Sequence, residues 1–436
     1  ALAWVQAELR RSLENANKAL RRYLRDSEAA AQSDVDAADP TALRSARSQL
    51  HQGAGALELV ALPAAARVLR AAEAGVQRML VRPALVTEAS VPTIERASFA
   101  VLDYLARLLS GKQVAAVGLF PQYAAVQALA GADRVHPADL WEADFAWRAL
   151  PGEAAVAPRK ADDAARSIME AVVLRLMRRG DAAAWRRLSD LCAELAAGAD
   201  ERGAALWRLA AAFAEAEAAR LLPQGDVHTK RMAARLLAQL RLASRGEDEP
   251  SERLAQDLLF YCAHARDSGQ ATPRLDAVRR SWRLLPQSPL DYEQERLGRF
   301  DPAWIAQARK RVAGAKDVWS AVAGGEQHRL PGLSEQMALL GESVERLFPG
   351  GARLSRALQE TAAQVQAADG NPPAALAMEV ATSILYLDAT LEDGELDQPE
   401  LAERVQRLAE RIEALQRGAD PQPLETWMEE LYRRVS

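Results

Sequence analysis

The sequence predicts an all-α protein of tandem antiparallel four-helix bundles in an elongated, multi-domain helical array. Three observations carry that expectation. Apolar residues recur at steps of three and four along most of the chain, the period of an amphipathic helix. Alanine and leucine dominate, with 49% apolar residues but only 5% aromatic ones. The links between periodic stretches are short, as antiparallel neighbours in a bundle require. A chain of 436 residues exceeds one ordinary core, so two to four domains are expected.

The first helix spans 1–25, where Val5, Leu9, Leu13, Ala16, Leu20 and Leu24 form one stripe. Residues 27–39 are small and acidic and read as a loop, after which Pro40 suits the start of a helix over 41–62. Pro63 resets the backbone, and Ala65, Leu69, Ala72, Val76 and Met79 define a third helix. Ile94, Ala97, Val101, Leu105 and Leu108 define a fourth that stops at Gly111. Together they predict a bundle over 1–111.

Residues 112–160 read as a connector, with a short helix over 123–129 and a turn over 134–137. Its aromatics Trp141, Phe145 and Trp147 would pin it onto a neighbouring bundle, and 151–160 reads as a linker. A second four-helix unit is expected over 161–246, with helices at 162–179, 181–197, 201–221 and 226–244 punctuated by Gly180, Gly198, Pro223 and Gly246. The C-terminal helical region, 247–436, opens with a Ser251-capped helix over 251–268. The stretch 273–300, with Pro286 and Pro289, reads as irregular. Helices follow at 302–322, 332–347, 351–369, 373–390 and 397–417. A last amphipathic stretch, LETWMEELYRRVS, meets no stop signal and suggests a piece of something longer.

Composition removes several function classes. The net charge of −5 is mixed along the chain, with no basic tract suited to nucleic acid. No apolar run reaches ~18 uncharged residues and no signal peptide opens the chain, so membrane insertion is not expected and a cytoplasmic location is. Cys192 and Cys262 lie in helical patterns and read as buried thiols rather than disulfide partners. Phosphate-cradling glycine motifs and a nucleophile elbow are absent, so neither ATP chemistry nor a cofactor is expected, and the segment reads as no enzyme. The acidic residues Glu392, Asp393, Glu395 and Asp397 lack the glycine an EF-hand needs at loop position 6 and read as a solvated loop. His136, before Pro137, reads as a local cap. His228, His264 and His328 are isolated, and Cys262 and His264, two apart on a helix, would face different ways, so no metal site is expected.

One residue invites chemistry. His51 lies at the edge of the stripe Leu43, Ala46, Leu50, Ala54 and Leu57, neither buried nor fully outward, with Gly55 one turn on. A neutral imidazole nitrogen is a nucleophile near neutral pH. A glycine beside it lets a partner's aspartyl phosphate come close. Two readings stand: a phosphoryl acceptor in a relay, or a boundary histidine on a bundle that has lost the reaction.

Further stretches carry a resemblance. They are WVQAELRRSLENANKALRRYL, QLHQGAGALELVAL, LFPQY, RVHPADLW, SERLAQDLLFYCAHA, GRFDPAWIAQARKRV, LAMEVATSILYLDA and WMEELYRRV, in that order. Together they resemble the N-terminal region of the ChpA/PilL-type chemotaxis-like hybrid histidine kinases of type IV pilus systems, a region shared with FimL. His51 and Gly55 also resemble the histidine phosphotransfer pattern, with Glu73 suited to it and Ala61–Leu62 standing where a glycine and an aromatic often stand. That pattern places a cation three residues after the histidine, where this chain has Ala54. Losing such a group from a phosphoryl-transfer site costs on the order of a few kcal/mol of transition-state stabilisation. Arg47, one turn before His51, would partly substitute for that cation. Gly53 weakens the helix by up to ~1 kcal/mol relative to alanine. The resemblance implies a regulatory and docking region that binds response regulators and polar scaffold proteins in two-component control of pilus motility. Phosphotransfer through His51 is the alternative, a self-associating spacer a third reading, and the oligomeric state stays open.

Overall fold

In the computed structural model the regular elements among the described residues are helical: seventeen α-helices, short 3-10 turns and no strand. The structure describes residues 2–33, 38–247, 249–267, 269–285 and 292–435. The chain divides into two compact units. One comprises Arg11–Ile94 and Ala115–Glu295; the other comprises Leu2–Arg10, Glu95–Val114 and Arg296–Ser436.

Helix α1 (Leu2–Ser33), which belongs to the first unit from Arg11 on, runs past the expected end near residue 25. The run Ala29–Ala30–Ala31 explains this, because alanine is the strongest helix former and outweighs the loop-like composition. The rest of that expected loop, 34–37, lies outside the described residues. Helix α2 (Thr41–Leu59) buries Leu43, Ala46, Leu50, Gly53, Ala54 and Leu57. It ends three residues earlier than the periodicity suggests. Leu62 N donates to Leu57 O at 3.0 Å and Ala61 N to Glu58 O at 3.1 Å, a Schellman closure with Ala61 at φ +57°. Helix α3 (Pro63–Val81) packs on α2 and buries small residues such as Ala65 and Ala72. Helix α4 (Ser90–Leu109) follows, with Ser90–Ile94 in the first unit and the rest in the second. Helix α5 (Phe120–Ala130) lies so close to α3 that a Cβ on Gly75 would sit 3.5 Å from the Leu129 Cβ.

The helices α6 (Asp163–Arg179), α7 (Ala182–Ala197), α8 (Glu201–Ala218) and α9 (Val227–Ala243) begin where the punctuation places them. Asp162, Asp181, Asp200 and Asp226 cap their N-termini, each accepting from a backbone amide in the first turn. Helix α8 is buried nearly all round, including Trp207, Phe213 and the run Ala210–Ala212. A helix apolar on every side is covered on every side. Helices α7, α10 (Glu252–His264) and α11 (Pro273–Trp282) pack on it. The expectation of an irregular 273–300 is therefore corrected for its first part. Pro273 opens a helix at N1, and Leu275, Val278 and Trp282 bury one side of it. Its arginines masked so short a stripe. Pro286 and Pro289 lie outside the described residues, as do Ser268 and the final Ser436.

The second unit is built on α12 (Pro302–Ala323), α13 (Leu333–Leu347), α14 (Gly351–Ala367), α15 (Ala374–Asp393), α16 (Leu401–Gln416) and α17 (Thr426–Val435). The first five close a ring, α12 on α13, α13 on α14, α14 on α16, α16 on α15 and α15 on α12. Leu340, Leu354, Leu358, Val380, Leu387, Val405 and Ile412 fill its middle. Gly341 permits the close approach of α13 and α14, since a Cβ there would meet the Ser355 hydroxyl. Helix α15 is long and apolar enough to cross a membrane, although Glu379 and Asp388 interrupt its uncharged run. In this unit it serves as a core helix. Its Glu379 receives Arg411 Nε at 3.0 Å on both carboxylate oxygens, and the Trp319 indole donates to Ala377 O at 3.1 Å.

Candidate functional site

The helix-forming pattern that builds α2 sets the place of His51. With Leu50, Ala54 and Leu57 fully buried, the position beside them turns out of the core, and the imidazole is 62% exposed. It stands further out than the edge that periodicity gives it. Gly55 is half-buried, and a Cβ there would meet nothing within 4 Å, so the surface beside the ring is open. Ala54 faces the core with no exposed area. A lysine at that position would be driven into apolar surroundings, which gives the missing cation a physical reason.

The structure supplies a cation from another helix. Arg70 on α3 reaches His51, with Nη1 2.8 Å from Nδ1. Glu73, one turn on, places Oε1 2.9 Å from the same nitrogen. Arg70 also pairs with Glu73 at 3.1 Å and, through Nε and Nη2, with both oxygens of Glu58 at 3.1 and 3.0 Å. The Arg70 guanidinium holds the Glu58 carboxyl below the usual range, and Glu58 and Glu73 together push Arg70 further up. Arg47 is not the substitute cation in this arrangement: its guanidinium donates to the Gln77 side chain. Of the residues singled out from sequence, His51, Gly55 and Glu73 share one surface. Arg70 was missed: its spacing of three from Glu73 predicts that ion pair but not its reach to a histidine on another helix.

Nδ1 has one lone pair or one proton, so Arg70 and Glu73 compete for it. When Nδ1–H donates to Glu73, Nε2 keeps its lone pair and is the nucleophilic tautomer. When Arg70 donates to Nδ1, the proton sits on Nε2 and the ring cannot attack. Among the described residues no hydrogen bond engages Nε2. The cluster can therefore present a nucleophile beside a fixed positive charge, or present only a charged docking patch.

The other histidines of this unit serve its core. His136 caps the 3-10 turn Pro137–Leu140 as its position before proline suggested, its Nδ1 accepting from Ala138 N at 3.1 Å. It is also buried, with the Tyr261 hydroxyl 3.3 Å from Nε2 and the His228 ring 5.7 Å away centre to centre. Reading His228 as isolated is thus corrected, because the fold sets the start of α9 beside the 3-10 turn that His136 caps. Burial, helped by Arg134 and His228, brings His136 down to about 3. The neighbouring Asp257 is fully buried and receives Arg134 at 2.8 Å and Arg235 at 2.5 Å. Glu217 on α8 is pushed by burial up to about 7, and its Oε1 has no partner. Trp141 stands edge-on to Phe260, and Phe145 stacks on Trp282, so the connector is held as its aromatics suggested. Cys192 and Cys262 are buried free thiols, both pushed up by burial, Cys262 to about 12.

Comparison with known proteins places one stretch. Residues 154–295 match the family model described as the second domain of FimL scaffold protein, so α6 to α11 are similar to that domain. No curated protein and no solved structure matches the chain.

Proposed function

We propose that this chain is a regulatory docking scaffold of a type IV pilus chemosensory system. It binds response-regulator and polar scaffold proteins in the cytoplasm and thereby tunes two-component control of twitching motility. The observation that carries this reading is the similarity of residues 154–295 to a FimL scaffold domain, in a chain built from helical faces. A place at the N-terminus of a hybrid histidine kinase belongs to the same proposal. In this role the chain performs no ATP chemistry of its own.

The second reading is phosphotransfer through His51, and the Arg70–Glu73 arrangement favours it specifically. Arg70 lies where an incoming phosphoryl group gains from a positive charge, and Glu73 can orient the ring. The two readings separate on one experiment. The chain is mixed with the cognate response regulator carrying labelled aspartyl phosphate. The docking reading expects no acid-labile label on the chain and regulator binding that His51→Gln leaves intact. Label that appears on the wild type and disappears in His51→Gln would establish the relay instead.

A further inference from the structure

The ends of α6 and α9 meet in a way that helix stability does not explain. The two helices run antiparallel: Arg241 near the end of α9 reaches Glu170 at 2.9 Å, while a Cβ on Gly180 after α6 would lie 4.0 Å from Lys230 of α9. Four cations gather at that second end: Arg178, Arg179, Lys230 and Arg231. Among the described residues none has an acidic partner within ion-pair distance, in contrast to Arg175, which Asp181 holds at 2.9 Å. Arg178 and Arg179 complement the negative end of the α6 dipole. Lys230 and Arg231 do the opposite. They stand in the first turns of α9, at its positive end, where no acidic side chain follows the Asp226 cap. Asp226 itself is committed to the Tyr292 hydroxyl.

Apolar side chains lie bare among these charges. Leu174 is 51% exposed, Met177 43% and Val227 51%. The outer face of α9 continues with Ala234 and Ala238, both exposed and small. Two antiparallel helices with small residues and bare apolar tips leave a groove fit for a third helix. A local arrangement that repels itself and wets apolar surface marks a site whose complement is elsewhere.

We propose that the α6–α9 face is a docking groove for an acidic amphipathic helix of a partner protein. The partner's apolar stripe covers Leu174, Met177 and Val227, and its carboxylates meet Arg178, Arg179, Lys230 and Arg231. A protein helix fits better than a lipid surface because no aromatic anchor accompanies the bare apolar residues of this face. This rests on the docking reading above and adds to it the face and the chemistry of the occupant.

The test uses the intact chain and a synthetic probe, a peptide of about eighteen residues with leucines at helical spacing and glutamates flanking them, which forms about 27 Å of helix. Fluorescence anisotropy is expected to show binding that weakens with salt. Affinity should fall at least tenfold in the double variant Arg178→Glu, Arg231→Glu, and in Leu174→Ala, Met177→Ala. The same peptide with glutamine for glutamate should bind at least tenfold more weakly, and Arg353→Glu in the second unit should change nothing. All substituted positions are exposed, and an unchanged far-UV circular dichroism spectrum shows that each variant folds. Equal binding of the acidic and glutamine peptides, or equal binding by wild type and both double variants, overturns the proposal. So does binding of anionic phosphatidylglycerol vesicles without peptide binding, or a dimer that only the wild type forms. Because the probe is not a cognate regulator, regulator binding that persists while the peptide fails would refute this face and leave the scaffold reading standing.

Discussion

His51 and His136 each sit within reach of an arginine and a carboxylate, yet the two regions make opposite use of an imidazole. At His51 one nitrogen is contested by Arg70 and Glu73 and the other is left to solvent. At His136 both nitrogens are engaged inside the core: Nδ1 accepts from a backbone amide, so Nε2 carries the proton toward the Tyr261 oxygen. The first can still do chemistry. The second can only hold the fold. The difference lies in what surrounds the ring and not in the residue, and burial decides it: the His136 side chain is 7% exposed, that of His51 62%.

That contrast can be broken most forcefully at the ion pairs. Asp257→Ala would leave Arg134 and Arg235 beside an empty buried position, at a cost of about 3–5 kcal/mol. The matching change at the surface, Arg70→Ala, should cost less than about 1 kcal/mol. Urea unfolding midpoints at unchanged slope would read both, and equal losses would erase the distinction. Next, His136→Ala should cost about 2 kcal/mol by stripping the cap and the Tyr261 contact, whereas His51→Gln should stay within about 0.5 kcal/mol.

Protonation sharpens the same comparison. His136 is neutral when folded down to about pH 3 but takes a proton near its ordinary value when unfolded, so the unfolded state binds more protons in between. Stability should therefore fall as pH drops below about 6.5, by up to about 1.4 kcal/mol per pH unit. Glu217 opposes this. Its folded carboxyl, pushed up to about 7, keeps its proton longer than the unfolded one, so its contribution is present in acid and lost as pH rises toward 7. Glu217→Gln should unmask a steeper acid slope in thermal melts between pH 4.5 and 6.5. An unchanged slope would mean that the buried groups do not titrate as a pair of opposites. The smallest effect is conformational. Ala61→Gly relieves the left-handed residue that closes α2 and should add about 1 kcal/mol without touching His51 chemistry.

Much of this was legible in the chain because each helix announces itself locally. Glycine and proline punctuation, the Ser251 cap and the three-and-four spacing place α6 to α10 within a few residues. Local signals failed where composition and context disagreed. The alanines after residue 28 extend α1 against a loop-like sequence, and the arginines of α11 hide a stripe of only three buried residues. At the candidate site, His51 and Gly55 were visible because they share one helix. Arg70 was not, because its reach to His51 depends on the packing of α3 against α2, which no spacing within one helix encodes. The same limit hid the meeting of His136 with His228 and the bare cations where α6 ends beside α9.

The scaffold reading meets its most direct test in calorimetric titration of the intact chain with the unphosphorylated cognate response regulator, comparing wild type with His51→Gln. Affinities equal within twofold are expected, since docking on helical faces does not need the imidazole. Absence of binding by the wild type, or a loss beyond tenfold in the variant, would contradict it.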